Sequence, residues 1–202
     1  MHQRPLRSAF KGNAFFFPLL FSSSNFPLMK FLAPLFLGAL LLGMTQKSVA
    51  QDKIPAIQLK DLNGNTVNAS DLNNNGKPMV ISFWATWCKP CIRELNAIKD
   101  QFIDWEEETG VKLVAISIDD SRNSSRVKPF ITGQGWQDYA VYLDANQELK
   151  RALNVNNIPH TFLVDGAGHI VWQHNGYIPG DEDHLYELIA KLAAGEDIDG
   201  EH

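Results

Sequence analysis

Cys88-Lys89-Pro90-Cys91 is where this sequence carries redox chemistry, and its two cysteines are the only ones in 202 residues. A pair spaced C-x-x-C can open and close one disulfide. If Cys88 falls at a helix N-terminus, the free backbone N–H groups and the helix dipole favour its thiolate. That thiolate can attack a substrate disulfide to give a mixed disulfide. Cys91, one turn further along, can then attack the Cys88 sulfur and release the substrate. Pro90 suits the first turn of a helix, where its missing N–H costs little. Lys89 adds a positive charge beside Cys88, which lowers the thiol pKa and favours the reduced form. Two other readings compete. A C-x-x-C can be half of a zinc or copper site, but no histidine stands at a partner spacing, so no metal is expected. A purely structural bridge is poorly motivated, because closing so short a loop removes little chain entropy.

The elements that must position this pair are legible on either side of it. Met79 to Ala85 is an apolar run broken only by Ser82, the pattern of a central buried strand. Cys91, Leu95, Ile98, Phe102 and Trp105 step by four and three and share one helix face, and Gly110 ends that helix. Upstream, Ile57-Gln58-Leu59, the Asn63-Gly64-Asn65 turn and Thr66-Val67 predict a hairpin, followed by a helical turn at Ser70-Asp71-Leu72. Downstream, the pattern predicts a strand over 111–118, a helix within 121–133 and a strand over 139–143. A short helix over 146–153 follows, then strands over 161–164 and 169–172 joined at Asp165-Gly166-Ala167-Gly168. Asp181 is expected to cap a last helix with Leu185, Leu188, Ile189 and Leu192 on its inner face. Strands alternating with helices and ending in a hairpin plus a helix imply an α/β domain with a central mixed sheet.

Charge divides the chain in two. Residues 1–50 hold five basic residues (Arg4, Arg7, Lys11, Lys30 and Lys47) and no acidic one. Taking these from the 18 basic residues leaves 13 against 23 acidic, a net of −10 for residues 51–202. Within the leader, Met29-Lys30 opens a second start-like pattern, Phe31 to Met44 is uncharged, and Ser48 and Ala50 are small residues before Gln51. Residues 29–50 therefore read as a secretory signal peptide, and residues 1–28 as a segment upstream of the true start. An uncleaved leader would instead tether the chain to a membrane. The expected mature domain is 51–202, with an acidic tail frayed from about 195, in an oxidising, extracytoplasmic compartment. The acidic body makes nucleic acid a poor partner.

Phe83-Trp84-Ala85-Thr86-Trp87-Cys88-Lys89-Pro90-Cys91 resembles the active-site segment of the thioredoxin superfamily, W-x-x-W-C-x-P-C. The preceding hairpin, the Ser70-Asp71-Leu72 turn and the extra strand and helix at 121–153 resemble the TlpA/ResA-like branch of extracytoplasmic thiol–disulfide oxidoreductases, a redoxin or AhpC/TSA-type domain. The resemblance covers about residues 54–193. It implies a thioredoxin-like fold with Cys88 as nucleophile, Cys91 as resolving cysteine and no cofactor beyond their redox-active disulfide. Ile158-Pro159 resembles the family's cis-proline loop, which faces the cysteines and offers backbone to substrate. Glu94 stands where this branch carries an acidic residue near the pair, about 60° round the helix from Cys91, and is expected to accept the Cys91 proton. The alternative is a solvated Glu beside Arg93. Ser82 replaces the buried Asp of cytoplasmic thioredoxins, which strengthens the case for Glu94. His160 follows the proline and either tunes Cys88, contacts substrate, or is simply a hydrogen-bonded, part-buried residue. Trp84 and Trp87 are expected to shield the site and help dock substrate, with plain core packing the alternative for Trp84, whose neighbours are apolar.

The expected activity is reduction of disulfides in exported proteins such as apocytochrome c, with electrons from a membrane thiol donor. Three alternatives share the fold. One is a disulfide-forming oxidant. Another is a thiol peroxidase, whose T-x-x-C would need Thr where Ala85 stands. The third is a copper or zinc chaperone, usually spaced C-x-x-x-C.

Overall fold

The structure, a computed structural model, describes residues 52–198. The leader expectations, a signal peptide over 29–50 and an upstream segment over 1–28, lie outside the described residues.

Seven strands form one mixed sheet in the order β2-β1-β5-β4-β3-β6-β7. β3 (Met79–Trp84), β4 (Lys112–Ser117) and β5 (Ala140–Leu143) run parallel. β6 (His160–Val164) pairs antiparallel with β3, and β7 (Ile170–Asn175) with β6. On the far side, β1 (Gln58–Asp61) is antiparallel to β5 and to β2 (Thr66–Asn68), so the expected hairpin extends the sheet. Every residue of β3 is buried, which is why its sequence reads as an apolar run broken only by Ser82 rather than as an alternating one.

The long helix α1 (Lys89–Thr109) connects β3 to β4. Its predicted stripe is its buried face: Cys91, Leu95, Ile98, Phe102 and Trp105 all lie in the core. Gly110 ends it in the left-handed conformation, φ 67°, where a side chain is disfavoured. α4 (Asp181–Ala193) packs beside α1. α2 (Val127–Gln134) leads to Trp136, whose indole N–H reaches Asn96 Oδ1 of α1 at 2.9 Å. α3 (Glu148–Ala152) precedes β6.

Two expectations need correcting. Asp181 is the first residue of α4 and not its cap; Gly180 occupies the cap with φ 105°. The Asp181 carboxylate instead turns back to accept the Ile178 N–H at 2.8 Å. Nor is the chain frayed at 195. Ile198, three residues past Gly195, is buried in the core, because an apolar side chain gains by leaving water.

Candidate active site

The cysteine pair sits where β3 hands over to α1. Cys88 is the N-cap of α1, and Pro90 falls in its first turn. Cys88 and Cys91 are bonded, with Cα atoms 5.3 Å apart. The Cys91 N–H points at Cys88 Sγ at 3.3 Å. This is one of the first-turn N–H groups left without a helical partner, and it would stabilise a thiolate there. Lys89 is exposed and Pro90 half-buried. Cys88 retains 5% exposure and Cys91 none.

Ile158 and Pro159 form the opposite lip. Their peptide bond is cis, and the Ile158 carbonyl oxygen lies 3.8 Å from Cys88 Sγ. The Pro159 carbonyl accepts the Gly176 N–H at 2.9 Å, tying this loop to the end of β7. Trp87, immediately before Cys88, is 63% exposed. The second tryptophan takes the core-packing alternative. Trp84 is fully buried and packs edge-on to Trp136, with ring centroids 5.1 Å apart, and against Phe130. It is a core residue and forms no part of a docking surface, because a residue inside a central strand has both neighbours and both faces covered.

Beneath the cysteines lies a buried polar triad. Glu94, 5% exposed and one turn along α1 from Cys91, accepts hydrogen bonds from Ser82 Oγ at 2.9 Å and Thr161 Oγ1 at 2.6 Å. Ser82 and Thr161 are register partners across β3 and β6, so their hydroxyls emerge side by side under the helix. Burial pushes the Glu94 carboxyl up to about 7, and the two hydroxyls pull it down by less. Glu94 is therefore not a solvated surface residue. Ser82 stands out in the sequence as a polar interruption, but Thr161 carries no such signal. Nothing in a five-residue strand marks which hydroxyl meets a carboxylate 67 residues earlier.

His160 points the other way. Side chains alternate along a strand, so His160 shares a face with Phe162, against which its ring packs at 4.6 Å between centroids, and not with Thr161. Its Nε2 lies 3.1 Å from Gln173 Oε1, while Nδ1 is buried without a partner. Burial lowers its pKa and outweighs the Gln173 hydrogen bond. The structure thus brings Cys88, Cys91, Ile158, Pro159 and Trp87 to one end of the sheet with Glu94 behind them. His160 is engaged with Gln173 and Phe162.

A thioredoxin-like sheet carrying a bonded C-x-x-C at the head of its first long helix defines a thiol–disulfide oxidoreductase of the thioredoxin superfamily. Residues 50–173 match the AhpC/TSA family model, and the chain belongs to that family, among its TlpA/ResA-like members. It is 31% identical over 137 residues to the thiol-disulfide oxidoreductase ResA of Bacillus subtilis (strain 168), covering 68% of this chain and 73% of the relative. Its fold matches the solution structure of a thioredoxin-like protein from Porphyromonas gingivalis, with TM-score 0.65, 49% identity and coverage of 76% of this chain and 95% of the other. StoA from Bacillus subtilis matches with TM-score 0.52 and 28% identity, over 66% of this chain and 98% of that one.

Proposed function

We propose that this oxidoreductase works as a disulfide reductase outside the cytoplasm, acting on exported proteins such as apocytochrome c and drawing electrons from a membrane thiol donor. In the forward step the Cys88 thiolate attacks one sulfur of a substrate disulfide. A Cys88–substrate bond forms, and the other substrate sulfur leaves as a thiolate. Cys91 gives up its proton and its sulfur attacks Cys88 Sγ. The second substrate sulfur leaves, and the Cys88–Cys91 disulfide carries away the two-electron deficit. A dithiol donor then reduces that bond. Glu94 takes the Cys91 proton, and Ile158-Pro159 and Trp87 hold the substrate beside Cys88.

The observation that carries this reading is the buried Glu94 one turn from the shielded Cys91, with its carboxyl raised to about 7. A group that titrates near neutrality can both accept and return a proton at physiological pH. A lone resolving thiol in apolar surroundings would otherwise be slow to ionise.

The deciding measurement is the midpoint potential of Cys88–Cys91 in residues 51–202, equilibrated against thiol buffers. The expected value is about −250 mV or lower, in the range of thioredoxin. A value near about −120 mV would mark a disulfide-forming oxidant and overturn the direction.

A further inference from the structure

The loop that carries Cys88 is held from below by a second buried carboxylate that the exchange chemistry does not use. The β3–β4 ladder ends when the Ile118 N–H reaches the Trp84 carbonyl at 2.9 Å. Beyond this point the backbone of β3 turns away, and the Cys88 N–H closes a tight turn on the Ala85 carbonyl at 3.0 Å. The Thr86 N–H thus has no strand partner, and an unpaired backbone donor is costly where water is excluded. Asp119, fully buried, supplies the partner. Its Oδ2 accepts the Thr86 N–H at 2.9 Å, and its Oδ1 accepts the Thr86 hydroxyl at 2.6 Å. The carboxylate is itself fixed by Ser117, whose hydroxyl donates to Oδ2 at 2.8 Å and accepts the Asp119 N–H at 3.2 Å. In effect the β4 side extends the sheet ladder through a side chain by one more residue, to a point two residues before the attacking sulfur.

We propose that Asp119 is a positioning residue for the exchange reaction: by gripping Thr86 at both its N–H and its hydroxyl, it sets how the 85–88 turn delivers Cys88 to the first turn of α1 and turns Trp87 out to solvent. The stabilisation of a Cys88 thiolate depends on the alignment of that sulfur with the Cys91 N–H. A small rotation of the turn would weaken it and misplace the sulfur for attack. The proposal rests on Cys88 being the attacking sulfur.

The test compares Thr86→Val, which keeps the backbone bond and the Asp119 charge but loses the hydroxyl, with Asp119→Asn and the conservative Thr86→Ser. The reduced proteins are alkylated with iodoacetamide across a pH series, the label on each cysteine is read separately by mass spectrometry, and folding is monitored by circular dichroism. Thr86→Val and Asp119→Asn are expected to raise the Cys88 thiol pKa and to slow its labelling by about tenfold at a pH below the wild-type value, the scale of losing a well-placed polar contact. Thr86→Ser should remain near wild type. If the folded variants titrate like wild type, Asp119 only supports the fold and the proposal fails. If Asp119→Asn lowers the Cys88 pKa while Thr86→Val leaves it unchanged, the carboxylate acts by charge and not by position, and the proposal fails in a different way. Should Cys91 label faster than Cys88 in the wild-type protein, the assignment of attacker and resolver is lost, while the Cys88 titration still judges Asp119.

Discussion

The two sulfurs of the bonded pair face different surroundings. On the Cys88 side are an exposed tryptophan, a peptide carbonyl at 3.8 Å and residual solvent access. On the Cys91 side, one helical turn inward, are a sealed core and a carboxyl held by two hydroxyls. Only Lys89 and Pro90 lie between them, yet the change from strand end to helix interior turns one cysteine outward and the other in. An attacking sulfur needs access and a stabilised anion. A resolving sulfur needs a neighbour and a proton acceptor, and must be kept from outside partners. On the proposed mechanism, this asymmetry divides the labour before any substrate arrives.

Exchanging the cysteines one at a time tests that division most strongly. Cys88→Ser is expected to abolish turnover of a protein disulfide. Cys91→Ser should still attack but stall, accumulating a mixed disulfide that non-reducing electrophoresis and mass spectrometry resolve. A stalled adduct on Cys91 in the Cys88→Ser protein would reverse the roles.

The inner side has its own signature in stability. Glu94 is raised from 4.5 to about 7, so the folded state binds its proton more tightly than the unfolded chain does. The stability from this group is fully present below about pH 4.5 and is lost as pH rises to about 7. The gap corresponds to about 3 kcal/mol. Urea unfolding of the oxidised protein should therefore show stability falling on that order between about pH 4.5 and about pH 7. Glu94→Gln should flatten the profile and slow release of the mixed disulfide. A profile unchanged by Glu94→Gln would remove Glu94 from both roles.

How much of this arrangement was readable beforehand follows the reach of the interactions. The strand before the cysteines, the helix after them and its buried stripe are local patterns, and the structure reproduces them nearly residue for residue. Cys88 at the helix head followed from the handover between those two patterns, and the cis bond before Pro159 from a motif resemblance; both match the structure. What the sequence did not disclose are the long-range hydroxyl contacts. Ser82 read as the absence of an acid, whereas it donates to the acid that is present. Thr161 and Asp119 looked like ordinary strand and loop residues, since their partners are set by sheet register and not by spacing. Trp84 and Trp87 stand three residues apart in one motif, and the apolar neighbours of Trp84 already allow a core position. Only the end of β3 between them sends one into the core and the other to solvent.

Trp87 gives the smallest and most selective prediction. At 63% exposure it contributes little to the core, so Trp87→Ala should change unfolding free energy by no more than about 0.5 kcal/mol. Its position next to Cys88 matters only when a partner covers it. Buried aromatic anchors are often the strongest single contributors to a docking surface. A disulfide-bonded protein or peptide large enough to reach Trp87 should therefore show KM raised by up to about tenfold, with kcat nearly constant. A small disulfide such as oxidised glutathione, attacked at the same sulfur, should react at close to the wild-type rate. That split separates docking from chemistry. If both substrates slowed equally, Trp87 would be acting on the sulfur itself, and the outer side of the pair would be tuned by its own loop and not by what binds there.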